Sequence, residues 1–227
     1  MVEFIPITKG DQETVSSYIA ERIGAQLSNG KTVAWFVSGG SNIPVELATI
    51  EKLKSTQNPA NLHIIMVDER FGPVGHANSN WHSMNLEDHN DAGHTLHPIL
   101  AEGDTSETAT QRYDSTVAKL IEDGAYTIGQ FGLGADGHTA GLLPGNPVME
   151  SDGLYAHYHG KDFERITATP KLIARLDECI LYASGDDKAQ AFADMQKPGD
   201  ENVVPSRILQ NARKLTILSD LKQEEIK

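Results

Sequence analysis

Among 227 residues there is a single cysteine, Cys179. No internal disulfide can therefore staple the chain, which fits a reducing compartment. Long apolar runs are also missing. The longest stretches, such as Val33 to Val37 and Leu62 to Val67, fall well short of the ~20 residues needed to cross a bilayer. Met1 to Pro6 has neither the basic start nor the extended apolar core of a secretory signal, so the cytoplasm is the expected location. Cations are scarce: 19 Lys and Arg stand against 32 Asp and Glu, a formal charge of −13. So acidic a chain repels nucleic acid and anionic membranes, and any anion it binds must be held by cations focused locally.

What remains is the composition of a globular protein: 39% hydrophobic, 22% charged, with 20 Gly and 10 Pro. A chain of this length buries roughly 70% of its unfolded surface. Short β-rich runs alternate with segments of helical period, the pattern of an α/β protein with an open, mostly parallel sheet covered by helices on both faces. Strands are expected at Val2 to Ile7, Thr32 to Val37, Leu62 to Val67, Tyr126 to Phe131, Arg165 to Thr169, Cys179 to Ala183 and Lys214 to Leu218. Val15, Ile19, Ile23 and Leu27 recur every fourth residue, and Asn29-Gly30 stops that helix. Pro44 to Leu53, Thr108 to Ile121, Pro170 to Leu176 and Asp187 to Met195 are further helices, two of them opening on a permitted first-turn proline. Apart from a short Glu-rich tail there is no charge run, linker or repeat, so residues 1–227 are expected to form one domain.

In such a sheet ligands bind beyond the carboxyl ends of the strands. The second strand runs into Ser38-Gly39-Gly40-Ser41-Asn42-Ile43-Pro44, which suits an oxyanion facing backbone N–H groups or else a flexible turn. The third runs into Asp68-Glu69-Arg70, either an acid paired with Arg70 to hold a loop or a set of functional charges, with Asn80 and Trp81 placed to cap and pack a following helix. The fourth runs into Gly132-Leu133-Gly134-Ala135-Asp136-Gly137-His138-Thr139-Ala140, where Asp136 can orient a His138 base or simply form a surface turn. The late Gly132-Leu133-Gly134 pair lacks the third glycine of a nucleotide fingerprint. Arg165 at a strand start and Lys188 at a helix start are each ordinary alone. His94 with His97, and His157 with His159, read as loop pairs without clear carboxylate partners and so as surface residues rather than metal ligands, while Cys179 reads as a buried strand residue.

Taken together and in this order, Ser38-Gly39-Gly40-Ser41, Asp68-Glu69-Arg70, Ser79-Asn80-Trp81, Gly134-Ala135-Asp136-Gly137-His138-Thr139-Ala140, Arg165-Ile166-Thr167 and Gly185-Asp186-Asp187-Lys188-Ala189 resemble the 6-phosphogluconolactonase family over roughly residues 30–220. The resemblance implies a Rossmann-like sheet and a pentose phosphate pathway enzyme that hydrolyses 6-phospho-D-glucono-1,5-lactone without metal or organic cofactor. It implies that His138 activates water beside Asp136, that Arg70 is a cation near the lactone, and that Arg165, Lys188 and Ser38, Gly39, Gly40 and Ser41 hold the phosphate. Asp68 joins the candidate catalytic set. The implied partner is a small phosphorylated sugar lactone, with the chain a monomer or small homo-oligomer.

Three departures stand out: Asn42-Ile43 ahead of Pro44, Gly141 where serine is common, and Phe71-Gly72-Pro73 after Asp-Glu-Arg. The sister glucosamine-6-phosphate deaminases typically carry a Glu shortly after the His and a tyrosine-type residue after Asp-Glu. Thr139 to Pro147 contains no acid, and Arg70 follows Glu69, so hydrolysis is favoured. A non-catalytic sugar-phosphate sensor fused to a regulator would bring a basic DNA-binding segment, which this acidic chain lacks.

Overall fold

The computed structural model describes residues 1–56 and 58–222, so the Glu-rich tail lies outside the described residues. The chain opens with β1 (Val2–Pro6) and α1 (Gln12–Ser28). Asp11 caps α1 by accepting the Thr14 N–H, and the helix stops before Gly30, whose φ of 75° suits a residue without Cβ. Val15, Ile19, Ile23 and Leu27 are all buried on its inner face, and truncating one such side chain to alanine costs about 2–5 kcal/mol.

β2 (Val33–Val37) is buried at every position and leads into α2 (Ile43–Leu53), with Pro44 tolerated in its first turn. β3 (Leu62–Met66), the short β4 (Asp68–Arg70), α3 (Asn80–Met84) and β5 (Thr95–His97) follow. Ser79, not Asn80, caps α3, its hydroxyl accepting the His82 N–H. α4 (Ser106–Glu122) begins at a reciprocal Thr105–Thr108 capping box, and β6 (Tyr126–Gly132) returns through the core. The remaining elements are β7 (Tyr155–His159), β8 (Glu164–Ala168), α5 (Pro170–Ile173), β9 (Glu178–Ala183), α6 (Ala189–Met195) and β10 (Leu215–Ser219).

Seven strands pair in the order β1-β10-β9-β6-β2-β3-β5, all parallel. From β2 the chain moves toward the β5 edge, and from β6 it moves toward the β1 edge. The loops leaving these two neighbours diverge and open a crevice at their carboxyl ends. A second, antiparallel sheet has the order β4-β8-β7. The strand expected at Arg165 to Thr169 thus exists, but it pairs with β4 and β7 rather than joining the large sheet. The chain leaves the large sheet at Val67, whose N–H donates to Val37 while its carbonyl accepts from Ala168. Strands β4, β5 and β7 carry no apolar run, and it is pairing that makes them strands. Among the described residues, no helix is long and apolar enough to cross a membrane.

Candidate active site

A cavity of about 330 Å³ opens in the crevice between the β2 and β6 ends. Ser38, Gly39, Gly40 and Ser41 line one side, and Gly134 and His138 another. Asp68, Arg70, Arg165 and Lys188 close it. Of the ten candidate residues only Asp136 is off the wall, set behind His138.

The loop after β6 owes its shape to glycine. A Cβ on Gly134 would lie 2.1 Å from His138 Nδ1, so only glycine lets the imidazole fold back over the turn. The Gly134 N–H donates to the His138 carbonyl and that of Gly137, at φ 85°, donates to the Gly134 carbonyl. Asp136 Oδ1 accepts from the His138 N–H at 3.1 Å and meets His138 Nδ1 at 2.5 Å. A proton on Nδ1 satisfies that contact and leaves Nε2 as the basic nitrogen. Burial acts to raise the Asp136 carboxyl, but the His138 N–H and the imidazole charge outweigh it and hold it below the usual carboxylate range. The His138 side chain keeps 38% of its surface exposed, enough for water to reach it.

Strand alternation sorts the Asp68-Glu69-Arg70 triplet. Asp68 and Arg70 point to the cavity, opposite Thr167 and Arg165 respectively. Glu69 points the other way, where its carboxylate accepts from the Arg70, Asn80 and Trp81 N–H groups and from the Ser79 hydroxyl. Neither acid forms an ion pair with Arg70 among the described residues. Arg70 instead donates to Asn80 Oδ1 at 2.6 Å and to the Asn78 carbonyl. Arg70 and Arg165 sit directly across the β4–β8 ladder, where like charges repel. Arg165 is only 8% exposed, and the Nε atoms of both arginines are buried without a hydrogen-bond partner among the described residues. Asp68 is the carboxylate nearest in sequence to these cations on that face. Burial pushes its carboxyl up to about 7 against the opposing pull of Arg70 and Arg165. Two guanidinium charges and at most one carboxylate charge thus face the cavity, an arrangement that suits an anionic ligand.

The Ser38–Ser41 turn differs from the expected oxyanion cradle. The Ser38 and Gly39 N–H groups point inward and donate to the buried carboxylate of Glu46 on α2. Gly40 and Ser41 keep their N–H groups unbonded among the described residues. Gly39 has φ 72° and ψ −156°, and a Cβ there would lie 2.8 Å from Asn80 Cγ, so glycine is required twice over. Asn42, one of the departures, is buried over Gly132 and donates to Ser38 Oγ at 3.0 Å. Gly141, the second departure, packs where a Cβ would be 2.8 Å from that of Thr167. Lys188, just ahead of α6, makes no ion pair among the described residues.

Glu46 and Asn80 are the contributors that sequence reasoning passed over or assigned to capping. Each acts through a tertiary contact that no local pattern announces. The histidine pairs also differ from expectation: His157 and His159 lie on β7 within 3.5 and 3.7 Å of Glu164, and His97 lies on β5 with its Nε2 2.8 Å from His63 Nδ1. Cys179 is buried, which pushes its thiol up and away from reactivity. Among the described residues no three His, Cys, Asp or Glu side chains gather to hold a metal.

Residues 11–218 match the family described as glucosamine-6-phosphate isomerases/6-phosphogluconolactonase. A 6-phosphogluconolactonase of Synechocystis is 30% identical over 169 residues, covering 70% of each chain. The rice protein described as "Probable 6-phosphogluconolactonase 3, chloroplastic" is 29% identical over 217 residues, and the match covers 83% of this chain and 64% of the rice protein's length. In three dimensions the chain is similar to the 6-phosphogluconolactonase of Thermotoga maritima, with a TM-score of 0.81 at 16% identity over 96% of this chain and 99% of the other. The Trypanosoma brucei 6-phosphogluconolactonase gives a TM-score of 0.73 at 18% identity over 96% of each.

Proposed function

Because the chain belongs to the glucosamine-6-phosphate isomerase and 6-phosphogluconolactonase family, we propose that it hydrolyses 6-phospho-D-glucono-1,5-lactone to 6-phosphogluconate. The observation that carries this reading is one cavity where His138, backed by Asp136, meets three cations, Arg70, Arg165 and Lys188, that have no carboxylate partner among the described residues. A phosphorylated ester substrate needs both halves. Arg165, Lys188 and the N–H groups of Gly40 and Ser41 take the phosphate, and Arg70 faces the lactone carbonyl.

His138 Nε2 accepts a proton from water as its oxygen attacks the lactone carbonyl carbon. The developing oxyanion is stabilised by the Arg70 guanidinium, which Asn80 holds in place. Collapse breaks the bond to the ring oxygen, and the imidazolium returns its proton to that leaving oxygen. Asp136 keeps the ring oriented and supports its charge. Asp68, titrating near neutrality, is a second group able to deliver a proton in the cavity. Arg70 occupies the place where the deaminase reading asks for a tyrosine, and no acid follows His138 up to Pro147, so hydrolysis is preferred over isomerisation.

The same reading takes residues 1–227 as one domain working in the cytoplasm on a small phosphosugar. Its test is release of 6-phosphogluconate by the purified protein measured against spontaneous lactone opening. Acceleration over the blank is expected, and a rate equal to the blank would overturn the reading.

A further inference from the structure

The first turn after β2 already contains an anion, and it is the protein's own. Glu46 has no exposed surface. Its Oε1 accepts from the Ser38 N–H at 2.7 Å, the Ser38 hydroxyl at 3.2 Å and the Gly39 N–H at 3.2 Å, and its Oε2 accepts from the Gly39 N–H at 3.2 Å. Successive backbone N–H groups around a carboxylate form an anion nest, here filled from within. Keeping a carboxylate in such a place is costly: burial pushes it up to about 7 even against these donors. A leucine of similar volume would avoid burying the charge but would leave the Ser38 and Gly39 N–H groups without an acceptor.

The contacts answer for the expense. With Ser38 and Gly39 turned inward, the next two residues, Gly40 and Ser41, line the cavity, and their N–H groups carry no bond among the described residues. Gly39 is gripped on two sides, by Glu46 beneath and by Asn80 against its Cα, and Asn80 also binds Arg70. The turn that would face the phosphate is therefore fixed from beneath by Glu46, while Asn80, and with it the arginine that would face the carbonyl, is anchored separately on Glu69 and the Asp68 carbonyl.

We propose that Glu46 is a positioning residue for the phosphorylated end of the substrate. It occupies the inner half of the nest so that the outer half faces the ligand phosphate, and it acts on affinity for that phosphate rather than on the bond-breaking step. The inference rests on the phosphosugar lactone reading above and deepens it.

The test compares Glu46→Leu, which removes every acceptor, with Glu46→Gln, which keeps one oxygen for the Ser38 N–H. For Glu46→Leu the KM for 6-phosphogluconolactone is expected to rise about tenfold, with kcat changed less than about threefold and KM for unphosphorylated gluconolactone unmoved. Glu46→Gln is expected to fall between the leucine variant and the parent, and it carries the test alone if the leucine variant does not fold. A phosphorylated-lactone KM equal to the parent's, a parallel rise for both lactones, or a loss confined to kcat would each overturn the proposal. Calorimetric binding of 6-phosphogluconate against gluconate gives the same comparison without turnover. A parent protein that binds the phosphate but does not hydrolyse would sink the lactonase reading alone. Variants that hydrolyse and still discriminate the phosphate as the parent does would sink only the role of Glu46.

Discussion

The two ends of the large sheet treat their charges in opposite ways. At the amino end of β9, Glu178 is 1% exposed and is surrounded by partners. It accepts from two guanidinium nitrogens of Arg22, from Lys214 at 3.0 Å and from the Tyr126 hydroxyl at 2.5 Å, while neighbouring Asp177 takes Arg213. At the carboxyl end, Asp68 and Glu46 are also buried, yet among the described residues neither has a cation within ion-pair distance, and Arg70, Arg165 and Lys188 have no carboxylate partner. Burial acts to raise all three acids. At Glu178 the partners outweigh it and the carboxyl is lowered, whereas Asp68 and Glu46 end at about 7. Charges at one end are spent on each other and make structure. At the other they are kept apart, which costs stability and leaves them for a ligand.

The sharpest way to test that contrast is at the base. His138→Ala is expected to lower kcat by on the order of 10²-fold or more with the melting temperature nearly unchanged, as read by steady-state assay and thermal unfolding. A near-normal kcat would remove His138 from the proton transfer. Next in size are the unpaired cations. Arg165→Ala or Lys188→Ala each loses a charge-assisted contact of roughly 1.5–3 kcal/mol, about a tenfold or larger rise in KM, with the discrimination against unphosphorylated gluconolactone shrinking in step. Equal KM values for parent and variants would show that these cations meet no phosphate.

The smallest effect concerns stability, and its sign should differ between the ends. Glu178 has a lowered carboxyl, so it stabilises the fold above its unfolded value and loses that contribution as the pH falls through its folded value. Glu178→Gln is expected to cost about 2 kcal/mol near neutrality, a gap that closes in acid. Asp68 is raised, so its ionisation costs nothing in acid and increasingly destabilises the fold as pH rises toward about 7. Asp68→Asn should therefore raise the melting temperature at pH values above neutrality and leave it unchanged near pH 4. Melting curves that shift in the same direction for both variants at alkaline pH would erase the distinction drawn between the two ends.

The elements most legible in the sequence were those whose information is local. The fourfold spacing of Val15 to Leu27 specifies a helix face, and the contiguous Gly134-to-Ala140 loop carries its own glycine requirement and its own acid–base pair. Short polar β4 and β7 gave no such signal, because their identity as strands depends on β8 lying between them. Asp68-Glu69-Arg70 showed that charges follow the third buried run. Which of the three face the cavity follows only from the register of Arg70 on Arg165. Glu46 was invisible for a similar reason: eight residues of chain separate it from the Ser38 N–H it binds, and a glutamate early in a helix ordinarily reads as a solvated partner of the helix dipole.

The pairing of β2 with β6 has a metric consequence. Adjacent strands lie about 4.8 Å apart, so the turn that would meet the phosphate and the loop that would supply the base leave the sheet from points whose separation is set by backbone hydrogen bonding. The cleft works as a caliper with its jaws on a rigid bar. Side-chain exchanges can change what each jaw grips, but the length of ligand spanning them belongs to the sheet, and a longer or shorter substrate would demand new loops rather than new residues.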